Sequence, residues 1–345
     1  MLSQFVINLW LLLLLLVGSC SDVQLWDQGN ARNQSGEYQP RIRRYFVAAE
    51  NVQWDYAPSG ENLIHREKGL GVWGEQTVYD KVRYVGYTDP SFTTRLEEEE
   101  HLGILGPIIR GVVGDTIEVV FKNNGDEPYS IHPHGVSYDR ENEGANYSGS
   151  KFPGGAVAPG QTFTYTWEVP PSAGPAEDDV SSLVWLYHSH TNSVKNIYQG
   201  LIGAIIITAA EKATDEGKPV DIDKEFISLF MIVNENGPDE ESEGHLMHSI
   251  NGYIFGNQPG LVMSKGDRVR WYLLGMGTEV DIHTSHWHGT TVTHENRKTD
   301  VISLFPAIMT SADMLAENPS DRWLFHCHVT DHMTAGMIST YQVLP

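Results

Sequence analysis

Short apolar runs alternate with turn residues along most of this chain, beginning near residue 45. The runs are rich in valine, isoleucine, threonine, tyrosine and tryptophan, which favour the pleated surface of a β-sheet. Gly-Asp, Asn-Gly and Pro-Gly pairs separate them, and stretches with helical periodicity are scarce. The clearest runs lie at residues 117–121, 162–167, 201–207, 269–273 and 338–343. The pattern predicts an all-β protein built from sandwiches or barrels.

The same order of motifs occurs twice, which indicates an internal repeat. In each copy a Gly-Asp pair precedes a predicted strand; a His-x-His-Gly motif, a second His-x-His motif and a glycine before an apolar run then follow. These features begin at Gly114, His132, His188 and Gly200 in the first copy, and at Gly266, His286, His326 and Gly336 in the second. A charged stretch with Gly217 and Pro219 separates the copies. We therefore predict one domain over residues 44–212 and a second over residues 222–345.

The N-terminus has the features of an export signal. Residues 5–17 are almost entirely apolar, and small residues follow at 18–21. We predict a signal peptide over residues 1–21. The apolar stretch is too short for a comfortable membrane span, and no second stretch of spanning length follows. We expect a secreted, extracellular protein without a membrane span; a bacterial lipoprotein signal ending at Cys20 is the alternative.

Residues 22–43 are polar and irregular, and we predict that they form a linker before the first domain. Asn33 and Asn146 each begin an Asn-x-Ser sequon. Such sequons accept N-linked glycans on surface loops of exported eukaryotic proteins. The sequence therefore predicts a glycoprotein.

Composition narrows the possible functions. The chain has 345 residues, enough for about two domains. Its formal net charge of −22 excludes nucleic acid as an expected partner, because nucleic-acid binders need a basic surface. Of the two cysteines, Cys20 is lost or terminal after signal cleavage, which leaves Cys327 alone. An unpaired thiol is unusual in a secreted protein, so Cys327 is expected to have a chemical role.

Histidines form the strongest chemical signal. The chain has 15 histidines. Ten of them fall in four clusters, at His132/His134, His188/His190, His283/His286/His288 and His326/His328/His332. Residues i and i+2 of a strand point to the same face, so each His-x-His motif presents two imidazoles together. Imidazole binds copper, zinc, iron and nickel. A single His-x-His pair is commonly two surface or core histidines that bind no metal, whereas four pairs in repeat register indicate metal binding.

The last cluster is the most specific, because it combines a cysteine with histidines and a methionine. On a strand, Cys327 faces away from its two histidine neighbours. One sulfur and two imidazoles, with a thioether at a weak axial distance, make a blue-copper electron-transfer site. Cys327, His283, His332 and Met337 supply that set. Methionine alone is more often a core residue, but its position after this cluster favours ligation.

These motifs together resemble the pattern of the multicopper oxidases, over nearly all of residues 45–345. The resemblance implies two cupredoxin-like Greek-key domains, dioxygen as a substrate and four coppers per active unit. It implies a type 1 copper on His283, Cys327, His332 and Met337, and a type 2 copper on His132 and His286. It implies a type 3 pair on His134, His188, His190, His288, His326 and His328. In this family Cys327 would receive an electron, and His326 and His328 would deliver it to the three-copper cluster.

Several short sequence segments resemble those of the branch of the family that contains ceruloplasmin and hephaestin. Among them are residues 251–256, residues 271–277 and residues 327–332. Two features depart from that branch. Ser182 and Thr208 stand where its first domain usually carries a disulfide. Tyr129 and Ser189 stand where the second domain has His283 and Cys327, so we predict no type 1 copper in the first domain.

Three functions remain open at this point. One is a ferroxidase that oxidises Fe(II), with a place in iron transport; another is a laccase-like oxidase of phenols or aromatic amines; the third is a non-enzymatic copper-binding matrix protein. Complete retention of the ligand set speaks against the third. Fe(II) favours carboxylates and an imidazole, whereas an organic donor favours an apolar pocket. Glu243, His248 and Asp331 resemble the iron-site residues of the branch, which favours the ferroxidase, although Glu243 alone could be a solvated residue of an acidic run.

Assembly follows from the number of domains. The cluster needs four histidines from each repeat, and in the six-domain relatives it joins the first domain to the last. In a two-domain chain the matching contact joins the second domain of one subunit to the first domain of the next. Such a head-to-tail contact must close into a ring. Six domains need three two-domain chains, so we predict a homotrimer with clusters at its interfaces. Glu279 would then complete the iron site of a neighbouring subunit, or else lie on the surface. A monomer whose domains share one cluster is the alternative.

Overall fold

The computed structural model describes residues 31–149, 151–237 and 241–345. The described chain is dominated by β-strands, with two short α-helices and several single-turn 3-10 helices. The predicted all-β class of two cupredoxin-like domains is confirmed. The 3-10 helices are Arg66–Lys68, Gly71–Gly74, Glu100–Leu102, Pro153–Gly155, Pro171–Ala173, Ala210–Lys212 and Glu243–His245.

The first group of strands forms two sheets around one core. Its elements are β1 (Ile42–Asp55), β2 (Val78–Tyr87), β3 (Ile109–Val112), β4 (Thr116–Asn123), β5 (His132–Pro133), β6 (Thr162–Glu168), β7 (Ser182–His188), α1 (Ser193–Gln199) and β8 (Ile202–Thr208). The sheet orders are β2-β1-β4-β6 and β3-β8-β7-β5. Alternate residues of β4 are buried, which follows from the two-residue period of a strand with one face on the core. Trp167 and Phe121 lie in the core between the sheets.

The second group repeats this arrangement. Its elements are β9 (Lys224–Asn234), β10 (Leu246–Ile250), β11 (Val262–Ser264), β12 (Arg268–Gly275), β13 (His283–Trp287), β14 (Val292–His294), β15 (Arg297–Thr299), β16 (Val301–Leu304), β17 (Met309–Leu315), β18 (Ser320–Cys327), α2 (Thr330–Thr334) and β19 (Ile338–Leu344). The sheet orders are β10-β9-β12-β17-β14-β15 and β11-β19-β18-β13-β16. Strand β9 pairs antiparallel with β10 and parallel with β12, as β1 does with β2 and β4. The repeat seen in the sequence is therefore a repeat of strand pairing.

A third apolar core joins the two groups. Buried residues of β7 and β8 pack against buried residues of β9 and β12, among them Leu186, Ile206, Leu229 and Leu274. Strand β8 is buried over its whole length, which explains why its sequence is a continuous apolar run rather than an alternating one. The halves of the chain are therefore held together by a hydrophobic interface.

Polar side chains also cross this interface, at Ser182 of β7. Ser182 pairs with Thr208 across β7 and β8. The Ser182 hydroxyl lies 2.7 Å from the Tyr272 hydroxyl and accepts a hydrogen bond of 2.7 Å from Arg270 of β12. Hydrogen bonds thus connect Ser182 to the other half of the chain.

The start of the fold differs from the predicted linker. Strand β1 begins at Ile42, inside the segment expected to be irregular, and Ala31 is already buried. Arg32 donates hydrogen bonds of 3.2 and 3.0 Å to the carbonyls of Ala210 and Ala213, which fixes this segment on the first group of strands. The predicted signal peptide and residues 22–30 lie outside the described residues. Within the described ranges, no helix has the length and apolar character that a membrane span requires.

We expect the buried ion pair between the halves to contribute strongly to stability. Arg110 donates hydrogen bonds of 3.2 and 2.9 Å to Glu225, and both side chains are largely buried. Glu225→Ala leaves a buried charge unpaired, and breaking such a pair typically costs about 3 kcal/mol. Urea denaturation of the copper-free protein measures the loss. The exposed Arg268–Asp223 pair lies within the second half of the chain, with Asp223 two residues before Glu225, so Asp223→Ala is the control and should change stability little. Equal effects of the two variants would contradict this account.

Candidate copper centres

The side chains of the predicted type 1 set converge in the second domain. Cys327 ends β18, His283 begins β13, and His332 lies in α2. The Cys327 Sγ atom lies 3.9 Å from His283 Nδ1 and 3.8 Å from His332 Nδ1. The two Nδ1 atoms lie 3.2 Å apart. One sulfur and two imidazole nitrogens therefore face a common point, with all ligand atoms within 4.8 Å of one another.

Two neighbouring residues close this centre to solvent. Met337 is fully buried, and its carbonyl accepts a 3.0 Å hydrogen bond from the Cys327 amide. The Phe230 ring lies 6.0 Å from the His283 ring. Burial raises the pKa of the Cys327 thiol, which disfavours the thiolate in the absence of a metal.

Asp281 orients His283, a role that was missed in the sequence. The Nε2–H group of His283 donates a 3.2 Å hydrogen bond to the buried Asp281 carboxylate. Asp281 also accepts hydrogen bonds from the amides of Ile232 and Thr278, so the carboxylate is itself fixed. Because Nε2 is engaged, Nδ1 is the nitrogen that faces Cys327. The Asp-x-His spacing, with Asp281 two residues before the first residue of β13, was the signal that could have identified Asp281.

The second-domain histidines of the predicted three-copper cluster also lie together. His286, His288 and His326 offer ligand atoms within 4.8 Å of one another. The Nε2 atoms of His288 and His326 lie 3.0 Å apart. The His328 ring lies 5.2 Å from the His286 ring. The backbone explains this grouping, because β13 and β18 are paired with His286 opposite His326.

The first domain presents a matching set of four rings. His132 stands opposite His188 in the β5–β7 pair. The Nε2 atoms of His134 and His188 lie 3.1 Å apart, and the His190 ring lies 5.1 Å from the His132 ring. His188 donates from Nδ1 to the carbonyl of the next residue, as His326 does in the second domain, so Nε2 of each faces the cluster.

A glycine follows the first His-x-His motif of each domain for a steric reason. Gly135 and Gly289 both have a φ of +77°. A Cβ atom would lie 2.1 Å from the Trp185 ring at Gly135 and 2.7 Å from the Trp323 ring at Gly289. Only glycine fits where this tight turn lies against an indole ring. The packing of a tryptophan under the motif is the same in both domains.

The two sets of four imidazoles do not meet within one chain. Every ring contact and hydrogen bond that joins site histidines in the described residues stays within one domain's set. The structure therefore contains two half-clusters rather than one cluster of eight ligands.

The electrostatics suit metal binding. Burial, with smaller contributions from neighbouring imidazoles, lowers the pKa of His132, His134 and His326 to about 4. Burial likewise lowers the pKa of His188 to about 3. These rings are neutral at pH 7, and neutral imidazole is the form that coordinates a metal. A thiol with two imidazoles suits copper, and the all-imidazole sets suit it too.

The first domain keeps the backbone of a type 1 site without its ligands. The Ser189 amide donates a 3.1 Å hydrogen bond to the Leu201 carbonyl, as the Cys327 amide does to Met337 at 3.0 Å. Ser189 and Leu201 therefore occupy the places of the cysteine and the methionine. A β-hydroxyl and an aliphatic side chain are not ligands for copper.

The positions of the two type 1 histidines are also changed in the first domain. Asn196 occupies the place of His332, and it accepts a 3.0 Å hydrogen bond from the Ser189 hydroxyl. Tyr129, predicted to replace His283, is buried, and the amide of the next residue, Ser130, donates a 3.2 Å hydrogen bond to the Ser189 hydroxyl. A direct hydrogen bond thus fills the position of the metal. The Asn196 substitution was missed in the sequence because the spacing between Ser189 and Asn196 is longer than the spacing of the cysteine and histidine in the second domain.

Two of the predicted iron-site residues lie beside the type 1 centre. His248 of β10 is 7% exposed, and neither of its ring nitrogens has a hydrogen-bond partner. Its Nε2 atom lies 3.7 Å from the Glu243 carboxylate. Its ring lies 5.3 Å from the ring of His332 and 6.5 Å from the Trp73 ring. Burial lowers the pKa of His248 to about 4, so the ring is a neutral donor.

The other two residues are less closely placed. Asp331 is exposed at the start of α2, and its charge acts on the pKa of His248 and of His332. Glu279 is exposed and lies near Tyr198 of α1, whose raised pKa reflects burial first and the charges of Asp281 and Glu279 next. In the described residues no hydrogen bond or ion pair links Glu279 to Glu243 or His248. The structure therefore groups Glu243, His248 and Asp331, and leaves Glu279 apart.

Paired cupredoxin-like domains with one sulfur-containing site and imidazole clusters define a copper protein. Two sequence families, both described as multicopper oxidase, match residues 102–212 and residues 228–345. The chain belongs to the multicopper oxidase family, and copper in type 1, type 2 and type 3 sites is the cofactor that the family implies.

Named relatives share more than a third of their aligned residues with this chain. Mouse ferroxidase HEPHL1 is 36% identical over 93% of this chain and 31% of its own length. Mouse hephaestin is 38% identical over 88% of the chain and 29% of its own length. Human ceruloplasmin is 38% identical over 88% of the chain and 31% of its own length. The chain thus spans about a third of the length of these relatives.

Solved structures agree on the fold. A multicopper oxidase crystal structure matches with a TM-score of 0.62 at 21% identity, covering 90% of this chain and 91% of that one. The blue copper oxidase of Nitrosomonas europaea matches with a TM-score of 0.60 at 20% identity, covering 88% and 86%. At this identity the likeness concerns the fold alone.

Proposed function

We propose that this protein is a secreted ferroxidase that oxidises Fe(II) to Fe(III) and reduces dioxygen to water. The observation that carries the proposal is His248, a buried neutral imidazole without a hydrogen-bond partner. An orphaned ring nitrogen in a buried position calls for a ligand. The Glu243 carboxylate lies 3.7 Å from it, and imidazole with carboxylate is a suitable donor set for iron. The ferroxidase name of one relative supports the same proposal.

The His248 ring lies 5.3 Å from the His332 ring, which supports an iron ligand beside the proposed type 1 site. Copper would supply one-electron acceptance at this site and dioxygen reduction at the histidine clusters. The chain's own residues provide the arrangement. Asp281 orients His283, and Cys327 lies between His326 and His328, so covalent bonds connect the type 1 site with the second-domain half-cluster.

We assign the individual roles on this basis. His283, Cys327, His332 and Met337 would hold type 1 copper, and His132 and His286 would hold type 2 copper. The type 3 pair would be held by His134, His188, His190, His288, His326 and His328. The domain limits that we propose are residues 44–212, extended back to Ile42 where β1 begins, and residues 222–345; the strand pairing within each half supports these limits.

A laccase-like activity toward phenols or aromatic amines is the second candidate. Four exposed apolar residues lie in the two loops that adjoin the type 1 end of β13, namely Val280, Ile282, Phe305 and Ile308. Such a surface would receive an aromatic donor better than a hydrated cation. The carboxylates at Glu243 and Asp331 favour iron instead.

We expect Glu243→Ala to raise the apparent KM for Fe(II) about tenfold, which corresponds to about 1.4 kcal/mol. The reason is the loss of a hard oxygen ligand, so oxidation of an aromatic diamine should change little. Oxygen consumption with each reductant measures both constants. Glu241→Ala, in the same acidic run and also exposed, is the matched control.

Asp331→Ala should raise the KM for Fe(II) similarly, with a larger effect on diamines because Asp331 adjoins His332. Equal losses with both reductants in Glu243→Ala would count against a dedicated iron site.

We also propose that three chains form a ring. The half-clusters of one chain do not touch, so each needs a complementary half from elsewhere. A head-to-tail contact between the second domain of one subunit and the first domain of the next supplies it, and closure of the ring gives a homotrimer. The exposed Glu279 would then reach the iron site of a neighbouring subunit.

A further inference from the structure

The first-domain half-cluster reaches the surface, and two exposed apolar side chains stand in the segments that follow its two His-x-His motifs. His190 is exposed, and His132 and His134 are partly exposed. Val194, at the start of α1 just after His190, is 64% exposed. Tyr147, in the loop that follows the first His-x-His motif, is 54% exposed. Large apolar side chains at such exposure are informative when they frame a functional site.

Tyr147 is held in place although it is exposed. Its ring lies under the Arg140 guanidinium, with 4.1 Å between the guanidinium carbon and the ring centroid. Arg140 also covers the Phe152 ring at 5.3 Å and forms an ion pair with Glu143. The Glu143 carbonyl accepts a 2.6 Å hydrogen bond from His132 Nδ1. The Tyr147 stack is therefore connected, through Arg140 and Glu143, to the predicted copper ligand His132.

A rigid, exposed tyrosine beside an arginine has the composition of an interface hot spot. Rigid aromatic side chains lose little conformational entropy on binding. Val194 provides a second exposed apolar side chain, four residues after His190 in the chain. A hydrogen bond of 3.3 Å from Thr191 to the Gly155 carbonyl connects the His190 turn to the end of the Tyr147 loop, so the two segments form one continuous surface.

We propose that Tyr147 and Val194 are the contacts through which the first domain docks on the second domain of another copy of this chain. The inference rests on the trimer proposed above. A second copy is the occupant because this surface holds four imidazoles of an incomplete cluster, and the second domain holds the complementary four. Docking would place the two half-clusters face to face and bury both side chains.

The sequon at Asn146 adds an independent consequence. Asn146 immediately precedes Tyr147, and its side-chain oxygen accepts a 2.8 Å hydrogen bond from the Phe152 amide. A glycan on Asn146 would stand inside the proposed contact. We therefore expect Asn146 to be unmodified in the assembled protein. Asn33 lies outside the contact and can carry a glycan.

Light scattering of the copper-loaded protein over a dilution series tests the contact. We expect Tyr147→Ser and Val194→Ser each to raise the concentration at which the assembly dissociates about tenfold or more. Both variants should keep the blue colour, because the type 1 site lies within one domain. Val220→Ser is the matched control, since Val220 is also 54% exposed but lies in the turn between the domains, and it should leave the mass unchanged.

Three results would overturn the proposal in distinguishable ways. A wild-type protein that is monomeric and active refutes both the contact and the trimer. A wild-type trimer that neither substitution weakens refutes the contact and leaves the trimer standing. Peptide mass spectrometry that finds a glycan on Asn146 in the trimer from eukaryotic cells also refutes the contact. None of these results depends on whether the reductant is iron.

Discussion

Cys327→Ser is expected to remove the blue absorption and the oxidase activity together. The absorption of a blue-copper site comes from a thiolate bonded to Cu(II), and Cys327 is the only thiol within the described residues. A serine hydroxyl is a poor replacement because it does not ionise near neutral pH. Turnover should fall to the level of the copper-free protein, because the path from the type 1 site to His326 and His328 loses the Cys327 sulfur at which it begins. Visible absorption and oxygen consumption measure the two losses.

Met337→Leu provides the control for this experiment. The axial thioether of a blue site is a weak, distant ligand, so its loss should keep the colour and change mainly the reduction potential. Copper content by elemental analysis separates a lost ligand from a misfolded protein, because the half-clusters should still bind copper in Cys327→Ser. A fully copper-loaded wild type without colour would refute the type 1 assignment.

The histidine grouping was predictable from sequence because the relation is local. Residues i and i+2 of a strand share a face whatever the rest of the fold does, and His286 and His288 obey that rule. The same alternation puts the Cys327 side chain on one face of the strand and the side chains of His326 and His328 on the other face. The repeat then predicted two such arrangements, and the strand pairing of the two halves agrees.

Contacts between distant segments could not be predicted in this way. Trp73 lies against His248 because a 3-10 helix of the first half covers the edge of the second. The Trp73 indole donates a 3.0 Å hydrogen bond to the Leu246 carbonyl, which holds β10 at this edge. No periodicity connects residues so far apart in the chain. The separation of the two half-clusters is also a property of the packed domains, and it was expected only through the resemblance to larger relatives.

Variants of single cluster histidines separate the two copper functions. His134→Ala in the first domain, like His190→Ala, and His328→Ala in the second should each keep the blue colour, because none belongs to the type 1 set. A reductant should bleach that colour, and dioxygen should fail to restore it. Stopped-flow absorption after mixing with oxygen measures the restoration. Normal reoxidation in these variants would show that the cluster lies elsewhere.

Mixing two such inactive variants distinguishes a ring of subunits from a self-contained monomer. In a ring, the intact second domain of His134→Ala can meet the intact first domain of His328→Ala, and random mixing gives about a quarter of interfaces with both halves intact. Oxygen consumption should therefore recover to about that fraction when the two are co-expressed. Mixing His134→Ala with His190→Ala should recover nothing, because both lack a first-domain ligand. A monomer that closes on itself predicts no recovery in either mixture, so activity in the first and not in the second requires clusters shared between chains.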